Sequence, residues 1–289
     1  MEITLKNLSY GSELVLSEES FVYILDKVDW GSVQASHQLS QYMDLIGGEI
    51  TATSLQARDI FIQGWVVANS EELMKERKSV LNKFIHPLHW MECIYGDYKL
   101  TFKPTSSVKY SSNYLENNEI VCKFLVSGEC NQPLFMLASP DVVTKSVAQE
   151  VPFFPATFVE EGIVFGFIPA IDLENLVNYG DVSAGFVAKL VANGAVTKPV
   201  ITNSTTGDLI ELNIELLEED ILEVSTLLGD KYIKLTRAGA TTDEFKALTK
   251  TSTLFELVAG VNSLVVTATT GDVNLEVEVT YSPRFLEVQ

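Results

Sequence analysis

The residues that best combine chemical type with close spacing are His86-Pro87-Leu88-His89, Trp90 and Cys93. Two imidazoles and a thiol within eight residues are three of the four donors a zinc site uses. No fourth ligand stands at a matching spacing, and tetrahedral sites are strict about ligand number. His86 and His89 straddle the expected end of a helix and start of a strand, so both read as boundary residues. His37 lies alone in a Ser/Gln-rich stretch, and no nucleophile elbow or similar motif marks a partner for it.

Carboxylates are abundant, with Glu160-Glu161 and Glu218-Glu219-Asp220 the densest groups. A glycosidase needs two carboxylates facing each other across a cleft, which abundance does not supply. Flanked by Leu216, Leu217, Ile221 and Leu222, the second group reads as a solvated turn. Gly47-Gly48 and Gly162-x-x-x-Gly166 lack the Lys and the strand-to-helix context of a phosphate loop. Trp30, Trp65 and Trp90 all fall in the first half, whereas Tyr179, Tyr232 and Tyr281 of the second suit a core or turn as readily as a sugar platform. No residue is assigned a catalytic, cofactor-binding or metal-binding role, and no cofactor is expected.

The chain that must position these groups has 289 residues, enough for two domains of ordinary size. It is 46% hydrophobic, and no uncharged apolar run approaches the ~18 residues of a membrane span, so a soluble protein without a membrane partner is expected. Lys plus Arg number 20 against 39 Asp plus Glu, a formal charge of -19 that opposes gripping a phosphate backbone. Residues 141–289 carry 22 of the acids and 9 of the bases. Cys93, Cys122 and Cys130 form an odd, sparse set without C-x-x-C spacing, the pattern of buried, reduced thiols. Met1-Glu2-Ile3-Thr4-Leu5 lacks the basic start and apolar run of a signal peptide, which implies synthesis and folding in a cytoplasm.

The period of the hydrophobic pattern changes along the first half. Residues 55–68 are β-branched and aromatic with partial alternation, a strand. Residues 70–85 form the one helix expected, capped by Asn69 or Ser70, with Leu73, Val80, Leu81, Phe84 and Ile85 toward one face and Pro87 beyond its end. Gly96-Asp97 closes a hairpin of 91–95 with 98–102. Strands at 108–114 and 120–127 follow, the second placing Ile120, Cys122, Phe124 and Val126 on one face. Pro133, Pro140, Pro152 and Pro155 punctuate a stretch without periodicity, read as a linker over 136–155.

The second half has almost no helical period. Short runs at 157–167, 186–192, 199–203, 209–216, 231–236, 264–269 and 274–281 recur between Gly-, Asn- and Asp-bearing turns, the pattern of an antiparallel sandwich or jelly roll. The tetrapeptide Thr-Thr-Gly-Asp, at 205–208 and 269–272, marks two similar turns.

Taken in order, these features resemble the distal tail protein (Dit) family of long-tailed bacteriophages. In the first half the resemblance rests on Arg58-Asp59-Ile60-Phe61-Ile62, the amphipathic helix with Arg77 and Leu81 ending at Pro87, and the hairpins closing on Cys130-Asn131-Gln132-Pro133. In the second it rests on Asn178-Tyr179-Gly180-Asp181, Pro199-Val200-Ile201-Thr202-Asn203 with Thr206-Gly207-Asp208, Leu254-Phe255-Glu256-Leu257 with Gly260-Val261-Asn262, and Tyr281-Ser282-Pro283-Arg284-Phe285. Ser282 and Phe285 stand where Arg and Tyr are more usual in the family.

The resemblance implies a mainly β chain. An N-terminal β-sandwich or split-barrel-like domain with one helix, 1–135, would form a hexameric ring continuing the tail tube. A galectin-like β-sandwich of jelly-roll type, 156–289, would project outwards. It implies a hub at the distal tail tip of a phage or prophage virion, assembled in the host cytoplasm and joining the tail tube protein to a tail-associated (Tal-like) protein and a receptor-binding protein. No catalytic residues come with it, so no enzyme is expected, and DNA would pass through the ring without specific binding. The alternative is a carbohydrate-binding module or adhesin for a cell-wall sugar, and a third reading is a glycosidase carrying a β-sandwich.

Overall fold

The computed structural model describes residues 1–40, 48–146 and 171–288. The chain divides into two compact units, Met1–Ala138 with Phe285–Gln289, and Ser139–Arg284. The second unit is therefore an insertion into the first.

The first unit opens with β1 (Glu2–Asn7), β2 (Ser12–Ser17), β3 (Tyr23–Asp29), β4 (Ala35–Ser40), β5 (Glu49–Leu55) and β6 (Arg58–Val67). Helix α1 (Glu71–Phe84) follows, then β7 (Met91–Tyr95), β8 (Tyr98–Pro104), β9 (Lys109–Tyr110), β10 (Val121–Cys130) and β11 (Phe135–Leu137). Alternation drives the sheet: Ile60, Ile62 and Val66 of β6 and Cys122, Phe124 and Val126 of β10 are buried in one core. Strands β8, β7, β1, β2, β3, β6 and β10 are neighbours in that order, and β10 returns to β8 through Gly128↔Pro104 and Glu129↔Lys103. This closes a barrel, but β2 meets β3 at a single parallel pair, Ser17↔Ile24, so the barrel is split there.

Two glycines permit that closure. A Cβ on Gly64 would lie 2.6 Å from the carbonyl oxygen of Ile24 and from the ring of Phe124, its cross-strand partner. A Cβ on Gly128 would lie 2.3 Å from the ring of Phe102. Each ring thus lies over bare backbone, an aromatic covering a strand glycine.

Helix α1 starts at Ser70, whose hydroxyl accepts from Leu73 N–H at 3.2 Å, so the cap is Ser70 and Asn69 stands outside it. Met74, Leu81 and Ile85 are buried along one stripe, whereas Val80, expected on the apolar face, is 50% exposed. Ile120 is likewise exposed, because β10 begins one residue later. Of the strand expected at 108–114 only Lys109–Tyr110 pairs. Asn113 and Asn118 accept from Leu115 N–H and Ile120 N–H through their side chains, turning the backbone of that loop out of the ladder.

The second unit holds β12 (Asp141–Ser146), β13 (Ile171–Asn178), β14 (Phe186–Ala192), β15 (Val196–Asn203), β16 (Asp208–Glu211) and β17 (Glu215–Leu216). It continues with β18 (Ile221–Leu227), β19 (Asp230–Arg237), β20 (Ala240–Asp243), β21 (Gly260–Thr270) and β22 (Leu275–Tyr281). One antiparallel sheet runs β12-β22-β14-β18-β19-β20 and the other β13-β21-β15-β16, with β17 also on β15. Phe186, Leu190, Ile201, Leu222, Leu264 and Val277 belong to the core these sheets share, a β-sandwich.

The stretch read as a linker contributes strands instead: β11 on β8, and β12 on β22. Pro140 stands just before β12, where a missing N–H costs the ladder nothing. The rest of that stretch and the run at 157–167 lie outside the described residues. A final strand, β23 (Arg284–Phe285), carries the chain back to the first unit, where Phe285 meets Tyr98 edge-on at 5.2 Å. The tail beyond it belongs to that unit and not to the sandwich.

Replacing Gly64 with Val is expected to destabilise the protein by about 1–3 kcal/mol, the range of core overpacking, because neither a backbone carbonyl nor a packed ring can yield cheaply. Urea denaturation should show the lowered midpoint for G64V and a change within about 0.5 kcal/mol for V80A, an exposed position.

Candidate functional site

Cys93 is 1% exposed, and burial pushes its thiol pKa up, with the nearby Cys130 thiol adding to the effect. Burial likewise pushes the Cys130 thiol up to about 12. All three cysteines are free and buried, so they are inert core residues. His86 and His89 stack at 4.8 Å, Tyr10 meets His89 edge-on at 4.8 Å, and each Nδ1 has a local partner, Leu88 N–H for His86 and the Asn7 amide for His89. Asn7, fully buried, also donates to Phe84 O, so the pair braces the turn after α1. Among the described residues no group of three His, Cys, Asp or Glu side chains is placed to hold a metal ion.

The acidic trio does not behave as one solvated turn. Glu218 and Glu219 are exposed, but the Asp220 side chain is 2% exposed, takes hydrogen bonds from Arg237 Nε and Nη2, and accepts from Leu217 N–H. Arg237 therefore holds the carboxyl below its ordinary pKa, against the opposing effect of desolvation. Sequence proximity to Glu218 and Glu219 concealed this role because the partner comes from β19, seventeen residues on. Glu160-Glu161 lie outside the described residues.

The tyrosines separate as well. Tyr281 is buried and donates to Val177 O, Tyr232 lies under Lys234 Nζ at 3.9 Å from its centroid, and Tyr179 is 52% exposed beside exposed Val177 and Val261. On the outer face of the larger sheet, Glu278, Lys189, Glu223, Lys234 and Asp243 stand directly opposite one another across five strands. Their signs alternate, so each cation has acidic neighbours and the row offers no net site to an ionic ligand.

Three features of the first unit were not singled out by sequence. Among the described residues strands β4 and β5 pair only with each other, as a two-stranded sheet, and all seven residues of β5 are exposed. His37, in β4, contacts Thr53 Oγ1 at 3.0 Å on this arm. A groove of 570 Å³ lies between α1 and the loop before β10, floored by Met74 and edged by Tyr114 and Ile120. Its cations are engaged, Lys75 with Glu71 and Lys78 with Asn117. A smaller pocket of 310 Å³ is lined by Lys27, Trp30, Arg58, Phe135, Glu287 and Val288, among others.

Arg58 is the unusual member of that pocket. Its side chain sits over the Phe135 ring at 4.8 Å and donates from Nη2 to Leu286 O, while Nε and Nη1 have no hydrogen-bond partner among the described residues. It is 1% exposed, and desolvation lowers its pKa from the ordinary value despite the thiol of Cys130 and the carboxyl of Glu287 nearby. The signal was present in the sequence: Arg58 shares strand parity with Ile60 and Ile62, which aims it inward.

Residues 179–285 match the family described as siphovirus-type tail component, C-terminal domain. No curated protein matches the chain. Among solved structures, SPP1 Dit, described as a paradigm of the hub adsorption apparatus in phages infecting Gram-positive bacteria, is 13% identical. The match covers 98% of this chain and 99% of that one, with a TM-score of 0.69. The phage P2 baseplate in its activated conformation is 11% identical, covering 97% of each chain, with a TM-score of 0.49. The mainly β, Dit-like fold and the resemblance read from the sequence are thereby borne out.

The Asp220–Arg237 pair gives a pH-dependent outcome. A carboxyl with depressed folded-state pKa stabilises above its unfolded pKa, and that contribution is lost as pH falls through the folded value, below the ordinary 3.8. Arg237→Ala should lower the melting temperature at pH 7 and by much less at pH 2.5; an equal loss at both would show that the ion pair is not responsible.

Proposed function

We propose that this chain is a structural subunit of a phage tail tip that assembles, through its first unit, into a closed homo-oligomeric ring. The observation that carries the reading is the β4–β5 arm. An isolated two-stranded hairpin is marginal in water, and its unpaired edges are templates for another chain. A neighbouring copy is the simplest source of the missing contact, and a heterologous contact repeated around a rotation axis closes a ring. Six copies follow the resemblance to the distal tail proteins.

The remaining roles fit that reading. The ring continues the tail tube on one face and receives a tail-associated protein on the other. The sandwich, galectin-like in this reading, serves as a platform to which a receptor-binding protein docks. Its second-half excess of acids repels anionic wall polymers, and its one half-exposed tyrosine among those considered, Tyr179, is a poor sugar platform by itself. A net charge of -19 suits a channel through which DNA slides without sticking. No catalytic role is proposed; the site of action is the virion tail tip, with assembly in the host cytoplasm.

Light scattering of the purified protein should give a multiple of the 32.0 kDa chain, and negative-stain images should show a six-fold ring. Replacing residues 35–55 with a short Gly/Ser linker should leave a folded monomer. A wild-type monomer at every concentration, or a ring that survives loss of the arm, would overturn this assignment.

A further inference from the structure

We propose that the Arg58 pocket is a carboxylate-binding site, covered here by residues 286–288, which takes an Asp or Glu side chain of another tail-tip polypeptide. The partner assignment rests on the structural tail-tip reading above; the pocket itself does not. A buried guanidinium is costly unless its donors are paired, and among the described residues Arg58 has only a neutral carbonyl oxygen, Leu286 O, as acceptor and the face of Phe135. Nε and Nη1 are left without acceptors, in a planar fork whose geometry matches a carboxylate.

The local carboxylates do not fill that role. Asp29 accepts from Gly31 N–H at 3.1 Å, which commits it to its own turn. Glu287, exposed at the pocket rim, forms no ion pair with Arg58. Lys27 lines the same pocket as a second cation, and no ion pair engages it among the described residues. Among the described residues neither cation is held in an ion pair, so an incoming acid has no salt bridge to break, although the Glu287 carboxyl nearby opposes it.

Access requires movement. The unpartnered nitrogens are shielded from solvent, and Glu287 and Val288 belong to the wall that shields them. An entering carboxylate must displace that segment and exchange the Leu286 carbonyl for a charged acceptor, which forms the stronger hydrogen bond. Binding is thereby coupled to release of the tail from Arg58.

The test is calorimetric titration of the full chain with N-acetyl-aspartate N-methylamide, with the asparagine analogue and acetate as controls. The aspartate probe should bind saturably and the asparagine analogue should not. Arg58→Gln should weaken binding by at least about 10-fold and Lys27→Gln by about 3-fold, whereas Glu287→Gln, which removes a like charge, should tighten it by about 3-fold. If R58Q fails to fold, the opposite shifts of K27Q and E287Q still decide the matter. Equal binding of the asparagine analogue, no saturable binding, or shifts of the same sign in K27Q and E287Q would overturn the site. Acetate binding as tightly as the aspartate probe would overturn the polypeptide partner. A monomer that binds the probe keeps the site and discards the ring; a ring that does not bind it discards the site alone.

Discussion

Strand β10 pairs with β6 over ten residues, from Val121↔Val67 to Cys130↔Arg58, and at Gly128 and Glu129 it also reaches β8. This doubly paired strand is what turns the sheet of the first unit back on itself. A sheet closes only if its strands coil tightly, and coiling tightly brings side chains of one strand over the backbone of the next. Gly64 and Gly128 supply the bare backbone, and Phe124 and Phe102 cover it. Core, helix position and the inward aim of Arg58 all follow from that register, since a slip of one residue would turn each side chain to the other face.

The split barrel and the open arm are two answers to one problem, the unpaired strand edge. Most edges of the first unit are consumed within the fold, but β4 and β5 keep theirs. The sandwich manages its outer face differently, by setting acids and bases opposite one another across five strands. That arrangement keeps a broad sheet soluble without making it adhesive to ions.

Sequence revealed the features that depend on local chemistry. The strand around Ile60, the helix after Asn69-Ser70, the hairpin at Gly96-Asp97 and strand 186–192 all rest on period and turn residues within a short window. It did not reveal strands whose polar residues hide the alternation, such as β4 and β5, where Ser, Thr, His and Gln occupy both faces because neither face is buried. Nor did it reveal Asp220 as a buried charge, because its partner Arg237 comes from another strand, whereas the inward aim of Arg58 was written in the parity of its strand and passed over. The Pro-bearing stretch after Cys130 misled for a simpler reason: proline bounds a strand as readily as it breaks one.

The insertion of the second unit into the first bears on how the protein is made. Arg58 and the carbonyl it holds, Leu286 O, are 228 residues apart, and the ring pair Tyr98 and Phe285 closes over a similar span. Residues 139–284 must leave the ribosome before those contacts can form. The barrel can collapse around its own core early, yet with Arg58 and Tyr98 uncapped, while the sandwich folds as a self-contained body in between. Translation thus imposes an order in which the first unit is begun first and completed after the second, so its contacts with Phe285 and Leu286 form only once residues 139–284 have been made.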